Sequence, residues 1–183
     1  MFSWVRSVTN EEVGPLGEAA FMERCNRWKC EFLPIRQDAG ESFSSELRET
    51  DKKRPDFLVN IPDLGPIFVE VKTKKLRKVG KTDQPAFSVN LDDYRKLKNL
   101  QSKLGINIWY AYFQNYDNGQ IDRSKAYFIP LSRVELYLHR PELGTGNRSY
   151  VYMPVDCMNI CAEMLDLRNL CLPCGKRTMC NGI

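Results

Sequence analysis

The sequence predicts an α/β domain in which one helix before and one helix after a β-hairpin flank a mixed central β-sheet. Between Arg54 and Lys72, two short apolar runs surround a turn of Pro, Asp and Gly, which is typical of a hairpin. Leu91 to Leu104 carries apolar residues at helical spacing. Residues 106–113 and 126–131 are aromatic and β-branched, as buried strands are. These patterns together predict helices packed on one sheet.

The elements before the hairpin are predicted to be a helix and a short strand. The helical pattern starts at Pro15, which suits a first helical turn. Glu18 then lies near the N-terminal end, where the helix dipole favours an acid. Glu31 to Arg36 predicts a strand, and Pro34 indicates an edge or bulged position because proline cannot donate a ladder hydrogen bond. The polar stretch from Gln37 to Lys53 predicts a loop or a short helix.

The hairpin brings charged side chains together at its open end. Successive side chains of a strand point to opposite faces, so Glu70 and Lys72 share one face. If the hairpin folds about Asp63, the numbers of paired residues sum to 126 and Asp56 lies opposite Glu70. Cross-strand neighbours are about 5 Å apart. The pattern therefore predicts that two carboxylates and one ammonium group meet.

Such a cluster predicts a metal site for phosphodiester hydrolysis. Two carboxylates this close repel each other unless a cation joins them. Mg²⁺ binds one or two carboxylates and keeps positions for water and phosphate oxygens. The ammonium group of Lys72 can orient an attacking water or stabilise developing negative charge. The alternative interpretation is a solvated Glu–Lys pair at a charged strand end.

Pro55-Asp56 followed by Glu70-Val71-Lys72 resembles the motif of the PD-(D/E)XK nuclease superfamily. This superfamily includes restriction endonucleases, archaeal Holliday-junction resolvases and RecB-type exonucleases. Gly17-Glu18-Ala19-Ala20-Phe21 resembles the first-helix element that supplies a further glutamate in many members. The resemblance implies a restriction-endonuclease-like core, a mixed central sheet flanked by helices in the order αβββαβ.

The resemblance also implies roles for individual residues. Asp56 and Glu70 hold Mg²⁺ or Mn²⁺, and the carbonyl of Val71 joins them. Lys72 activates or orients the water, and Glu18 is an auxiliary acid. The implied function is metal-dependent hydrolysis of DNA. Two alternatives stay open, namely an inactive nucleic-acid-binding or assembly module of the same fold and an RNA-processing nuclease.

Basic residues flank the predicted metal site. The triplet Lys52-Lys53-Arg54 precedes the first strand of the hairpin. Lys74 and Lys75 belong to a run of cations that continues beyond the second strand as a predicted loop. Runs of this kind are often solvated, but these are placed where a nucleic-acid backbone would dock. We therefore expect DNA as a partner, and we also expect a homodimer or protein partners in a DNA-processing complex.

The helix after the hairpin has clear predicted ends. Asn90 is typical of an N-cap and Gly105 of a helix stop. RecB-like nucleases carry Gln-x-x-x-Tyr on this helix, and the pattern here is Asn90-x-x-x-Tyr94. Tyr94 is therefore a candidate for the nucleic-acid cleft or, alternatively, a core tyrosine on an amphipathic helix.

Composition restricts the class of protein. The 183 residues suit one domain with a real hydrophobic core. A net charge of +4 is too small for a generic polyanion binder, so local clustering matters more than the total. No apolar run approaches the ~20 residues that span a bilayer, and the N-terminus shows no signal-peptide pattern. Seven cysteines do not indicate a disulfide framework, and we expect a cytoplasmic protein.

The last third of the chain predicts shorter elements. Ser132 is expected to cap a short helix that runs to about His139. A strand is predicted at residues 150–153, and Asp156 is expected to cap a helix that runs to about Asn169. We divide the chain into a nuclease-like domain, residues 1–154, and a C-terminal helix with a cysteine-rich tail, residues 155–183, packed on the same domain.

The tail carries a candidate metal motif of the type Cys-x₂-Cys-x₅-Cys. Its members are Cys171, Cys174 and Cys180. The spacing is similar to the cluster motif of iron–sulfur nucleases, which implies a 4Fe-4S cluster with Cys25 or Cys30 as the fourth ligand. A Zn²⁺ site made of local cysteines is the second interpretation. The ligands of that second site are Cys157, Cys161, Cys171 and Cys174. Free or buried thiols are the third.

Overall fold

The computed structural model describes residues 10–35, 53–62, 65–79, 83–139, 142–143 and 149–161. Its helices are α1 (Asn10–Trp28), α2 (Leu91–Leu104) and α3 (Leu131–Val134), with 3-10 turns at Glu135–Tyr137 and Val155–Cys157. Its strands are β1 (Glu31–Pro34), β2 (Phe57–Ile61), β3 (Gly65–Lys74), β4 (Arg77–Val79), β5 (Gln84–Asn90), β6 (Ile108–Gln114), β7 (Ala126–Pro130), β8 (Glu142–Leu143), β9 (Ser149–Pro154) and β10 (Asn159–Cys161).

The strands of the described residues form two sheets. The main sheet has the order β1-β2-β3-β6-β7-β10, in which β3 and β6 run parallel and the other neighbours run antiparallel. The second sheet has the order β4-β5-β9-β8 and is antiparallel throughout. The predicted mixed central sheet is confirmed, and Pro34 lies on its edge strand β1 as predicted.

Each face of the main sheet covers a separate hydrophobic core. On one face α1 packs Phe21 against Phe57 and Phe128. On the other face α2 and the second sheet enclose a cluster in which Phe87 stacks on Tyr112 with ring centroids 4.9 Å apart. Side chains of β3 alternate between the two faces, so the strand is enclosed by protein on both sides. This enclosure explains how a charged residue of β3 can be buried.

The hairpin has the predicted register. Phe57 lies opposite Val69, and in each pair along β2 and β3 the two residue numbers sum to 126. The backbone N–H of Asp56 donates at 3.0 Å to the carbonyl of Val69, which is already the partner of Phe57, so the regular ladder ends at Phe57. Gly65 opens β3 with a φ of +85°, a conformation that glycine adopts at low cost. The predicted pairing of Asp56 with Glu70 lies beyond this ladder and stays a prediction.

The helix after the hairpin also has its predicted ends. The side chain of Asn90 accepts hydrogen bonds from the backbone N–H groups of Asp92 and Asp93. Gly105 ends α2 in the left-handed conformation with a φ of +67°. Leu104, which belongs to the predicted apolar stripe, is 49% exposed because it lies in the last turn, beyond the residues that face the core.

Two predictions about α1 are wrong. The helix begins at Asn10 rather than at Pro15, because the earlier turn is anchored by Val13, which is only 2% exposed. Pro15 is therefore an interior residue whose missing N–H leaves one helical hydrogen bond unmade. Glu18 lies about two turns after the helix start, too far from the end for the predicted dipole interaction to explain it.

The second sheet was not predicted. Arg77–Val79 lies in a stretch predicted as a loop but forms β4, because it pairs with β5. The predicted start of a C-terminal helix at Asp156 is also wrong. The chain makes a 3-10 turn there, and Asn159–Cys161 then pairs with β7 in the main sheet. The rest of the predicted C-terminal helix and the tail lie outside the described residues, and the boundary at 154/155 stays a prediction.

The helix predicted at Ser132 is shorter than expected. It starts at Leu131 with Pro130 as N-cap and without a side-chain capping bond. It then tightens into the 3-10 turn that ends at Tyr137, before His139, which is exposed. Among the described residues, no helix combines the length and the apolar character needed to cross a membrane.

Gly17 allows α1 to lie directly on β3, and this contact is testable. A Cβ atom at Gly17 would lie 2.1 Å from Thr73 Oγ1, whereas one at Gly14 would meet nothing within 4 Å. We expect Gly17→Ala to destabilise the fold by about 1–3 kcal/mol, since the buried Thr73 has little room to move. Gly14→Ala is the matched control and should stabilise the fold by up to about 1 kcal/mol.

Chemical denaturation of both variants measures these changes in the free energy of unfolding. Equal effects of the two substitutions would contradict the close approach of α1 to β3.

Candidate active site

Asp56 is held in place by the backbone of β3. Its Oδ2 atom accepts a hydrogen bond from the N–H of Val71 at 2.7 Å. In a strand the N–H and C=O of one residue point to the same side, so the carbonyl of Val71 faces the segment that carries Asp56. The carboxylate and this carbonyl therefore lie on one side of β3, beyond the end of β2.

Glu70 lies between two ammonium groups. The Nζ atoms of Lys53 and Lys72 are each 2.6 Å from Glu70 Oε1. The Glu70 side chain is only 1% exposed, whereas the two lysine side chains are about one-fifth exposed, at 19% and 20%. In the part of the chain that the structure describes, Glu70 Oε2 has no hydrogen-bond partner. We call Lys53, Asp56, Glu70 and Lys72 the carboxylate–lysine cluster.

A third carboxylate holds the catalytic lysine candidate from the other side. Lys72 Nζ lies 3.3 Å from Asp93 Oδ2 in the first turn of α2. Burial acts to lower the pKa of Lys72, but Glu70 and Asp93 outweigh it and the pKa is raised above its ordinary value. The side chain is therefore a charged hydrogen-bond donor at neutral pH, placed to orient a reacting group.

The two carboxylates of the cluster oppose each other electrostatically. Burial and then the charge of Glu70 raise the pKa of Asp56 from 3.8 to about 7, although the Val71 N–H and the lysines act in the opposite direction. A shift of this size at a cluster of charged groups is typical of functional sites. Burial and the charge of Glu70 both disfavour the ionised form of Asp56, and a divalent cation bound there would oppose both effects.

Glu18 approaches the cluster from α1. Its pKa is raised by burial first and by Glu70 second, and is lowered by Lys53. The interpretation of Glu18 as a first-turn acid fails because of its position within α1, and the interpretation as a third carboxylate at the metal site is not tested by this position. Its role as an auxiliary acid stays a prediction.

The donor set fits a hard divalent cation. Mg²⁺ and Mn²⁺ prefer oxygen ligands, and the cluster offers the Asp56 and Glu70 carboxylates and the Val71 carbonyl. The buried Glu70 Oε2 atom, without a hydrogen-bond partner in the described part of the chain, is a further indication of a missing cation. Among the described residues, no three His, Cys, Asp or Glu side chains are grouped closely enough to hold a metal ion, so water or phosphate oxygens must complete the coordination.

A small cavity of about 30 Å³ opens beside Lys72. It is lined by Asp93 of α2 and by the aromatic rings of Tyr110 and Tyr112, among other residues. The hydroxyl of Tyr110 is buried and has no hydrogen-bond partner among the described residues. A cavity of this size can hold about two water molecules. Polar groups therefore line a cavity beside Lys72.

The predicted nucleic-acid-binding residues have different surroundings. Lys53 belongs to the cluster itself, and Lys52 lies outside the described residues. Arg54 and Lys74 are half-buried, and Lys74 lines the cavity beside Lys72. Lys75 is exposed at the end of β3 and forms an ion pair.

Tyr94 lies in the core, one of the two predicted placements. Its ring is 5% exposed, and its hydroxyl donates to Glu135 Oε1 at 3.2 Å. Burial and the nearby Glu135 raise the pKa of Tyr94 to about 12, so the hydroxyl stays a donor.

Sequence reasoning missed two contacts of the cluster. Asp93, in the first turn of α2, was assigned no role from the sequence, and its ion pair with Lys72 was not predicted. Lys53 was predicted to contact phosphate, and nothing in its local sequence indicates that it reaches Glu70. Only the contact of Asp93 could have been predicted from the sequence. Because α2 follows the hairpin, its first turn is expected to lie against the polar face of β3.

The cysteine motif is only partly described. Cys171, Cys174 and Cys180 lie outside the described residues. Cys25 and Cys30 are buried on the α1 side of the sheet, and burial first and Cys30 second raise the pKa of Cys25 to about 12. Such an environment favours the thiol over the thiolate that metals bind.

The raised pKa of Asp56 predicts an unusual pH dependence of stability. Because the folded pKa of about 7 exceeds the ordinary 3.8, the folded state holds this proton more tightly. Stability should therefore fall as pH rises through this interval and level off above it. In metal-free buffer, we expect Asp56→Asn to raise the melting temperature at pH 8 by about 3 °C or more.

The same variant at pH 5 is the control, since only part of the loss of stability has developed there and the two melting temperatures should differ less than at pH 8. A lower melting temperature of Asp56→Asn at pH 8 would contradict the electrostatic conflict.

The sequence matches no known protein-family model and no curated protein. Among solved structures, D212, a nuclease from a fusselovirus, resembles the chain with a TM-score of 0.51 at 9% sequence identity, over 92% of this chain and 95% of D212. Hjc, a Holliday junction resolvase from Archaeoglobus fulgidus, has a TM-score of 0.46 at 12% identity, over 79% of this chain and 90% of Hjc. The likeness to D212 shows that the chain has the fold of that nuclease, so the predicted nuclease-like fold is confirmed.

Proposed function

We propose that the chain is a metal-dependent nuclease that hydrolyses DNA phosphodiester bonds, with Mg²⁺ as its metal. One observation carries the proposal: Asp56 and Glu70, from neighbouring segments of one hairpin, converge beside Lys72, which is 2.6 Å from Glu70. The fold shared with a viral nuclease supports it. Hydrolysis of a phosphodiester needs a cation near the phosphate, an oriented water and a donor for developing charge, and this cluster offers residues for each.

The metal would be held by the carboxylates of Asp56 and Glu70 and by the carbonyl of Val71. A bound Mg²⁺ supplies a Lewis acid that polarises the phosphate and makes a coordinated water more acidic. The buried position of Glu70 keeps bulk water from its carboxylate, which strengthens each electrostatic interaction there. The residues present therefore suit a hard cation better than a thiolate-binding metal.

Lys72 would position the reacting groups. Its ammonium is fixed between Glu70 and Asp93, so its N–H groups have defined directions. A charged donor in a partly buried site stabilises negative charge that develops on a phosphate oxygen. Since its raised pKa keeps Lys72 protonated, we assign it donation and orientation rather than removal of a proton.

DNA would approach over the basic end of β3. Lys75 lies there, and Arg77 and Lys78 of the neighbouring β4 are also exposed. Exposed lysines and arginines contact phosphates and give salt-dependent binding without sequence preference. DNA as substrate, a homodimer or partner complex, and a cytoplasmic location remain proposals.

For the tail cysteines, three alternatives stay open: a 4Fe-4S cluster, a Zn²⁺ site and free thiols. Elemental analysis with a visible spectrum separates the three. Iron with absorbance near ~400 nm indicates a cluster, zinc with a colourless protein indicates a tetrahedral sulfur site, and neither metal indicates thiols.

The proposed activity predicts cleavage that requires a divalent metal. Incubated with linear, circular, single-stranded and branched DNA, the protein should cut at least one substrate with Mg²⁺ and none with EDTA. Glu70→Gln and Lys72→Met should each slow cutting by about 100-fold or more, because each removes a charged group from the reacting centre. Lys96→Met, an exposed position of α2, is the control and should cut at the wild-type rate.

Undiminished cutting by both cluster variants would remove this site from consideration. Cutting of RNA alone would support the RNA-processing alternative. No metal-stimulated cutting, with salt-sensitive retention of DNA, would support the binding module.

Asp93 should affect the rate of DNA cleavage because its ion pair orients Lys72. Asp93→Asn keeps the shape of the side chain but loses the ion pair, and we expect a rate about 10-fold lower, as for other residues that orient a functional group. Asp92→Asn is the matched control, since Asp92 lies in the same turn but pairs with Arg95 at the surface. Equal rates for the two variants would contradict this role of Asp93.

A further inference from the structure

Lys53 is placed where a positive charge is most needed in the cluster. Its Nζ atom lies 2.6 Å from Glu70 Oε1, and its charge also lowers the pKa of both Glu18 and Asp56. Its ammonium group therefore contacts Glu70 and acts through its charge on two further carboxylates. This is the electrostatic role that a divalent cation would have at the same carboxylates.

The second lysine of the cluster has different surroundings. Lys72 lies within β3, where it pairs with Tyr112 of β6, and its ammonium is held by Asp93 as well as by Glu70. Lys53 lies in an irregular segment before β2 and reaches Glu70 with a long flexible stem. If one lysine must leave Glu70, the backbone and the second ion pair retain Lys72, and Lys53 is the one that can move.

Metal binding and the Lys53 ion pair compete for the charge of the same carboxylate. The two ammonium groups occupy the lone pairs of Glu70 Oε1, so a cation would bind through Oε2 of the same carboxylate. A divalent cation coordinated by Glu70 would also lie within a few ångströms of the Lys53 charge, and like charges at that distance in a buried site repel strongly.

We propose that Lys53 is a resident counter-ion of the metal site, which holds Glu70 when metal is absent and is displaced when a divalent cation binds. This inference rests on the proposed function, because it takes Asp56 and Glu70 as the metal ligands. Lys53 thus lowers the affinity for metal while it prevents unbalanced negative charge in the metal-free protein. Its displaced ammonium then becomes available to a phosphate group.

Calorimetric titration of Mn²⁺ into the metal-free protein, without DNA, tests the displacement. Lys53→Met keeps the stem and removes the charge, and it should lower the Kd for Mn²⁺ about fivefold or more. Lys53→Arg keeps the charge and should stay within about twofold of wild type. Lys96→Met removes an exposed charge outside the cluster and should also stay within about twofold.

A Kd of Lys53→Met within twofold of wild type, or above it, would overturn the proposal. Lys53→Gln also removes the charge but has a polar side chain. It provides the same test if Lys53→Met folds poorly. Asp56→Asn tests the existence of the metal site separately from the displacement of Lys53. If it abolishes Mn²⁺ binding while Lys53→Met leaves the Kd unchanged, the metal site stands and only the displacement is wrong. If no variant binds Mn²⁺, or if Asp56→Asn binds as wild type does, the metal site fails as well.

Discussion

The register of the β2–β3 hairpin is the constraint on which the candidate site depends. A slip of one residue would turn every side chain of β3 to the other face, and Glu70 and Lys72 would then point into the α1 core instead of toward Asp93 of α2. Three features prevent the slip: buried alternation along β2, the glycine turn at Gly65, and the parallel pairing of β3 with β6. Since these features also build the core, folding and site formation are one event.

The site is electrostatically costly, and its surroundings reduce that cost. Glu70 is almost fully buried, and a buried charge is tolerated only when it is paired and hydrogen-bonded. Two lysines provide the pairing of Glu70, yet burial and the charge of Glu70 keep the pKa of Asp56 raised, so the ionised form of Asp56 remains unfavourable there. Proteins commonly accept such instability at functional sites. The close approach of α1 at Gly17 adds a further acid, Glu18, to the same region.

Local signals made the hairpin and α2 predictable, and non-local pairing made the rest unpredictable. The ends of α2 follow from Asn90 and Gly105, whose capping roles depend on neighbouring residues alone. By contrast, β5 finds its partner β9 far along the chain, and no local pattern indicates that pairing. The contact of Lys53 with Glu70 depends likewise on tertiary structure. The start of α1 was misplaced because Pro15 looked like a first-turn residue, although burial of Val13 extends the helix past it.

The central claim is that Asp56 and Glu70 share one divalent cation at the end of the hairpin. Anomalous diffraction from crystals grown with Mn²⁺ tests it most directly, because the signal locates the ion without any assumption about substrate. The account predicts one strong peak within coordination distance of both carboxylates and of the Val71 carbonyl. A peak elsewhere with none at this position, or Asp56 and Glu70 on opposite faces of the sheet, would contradict it.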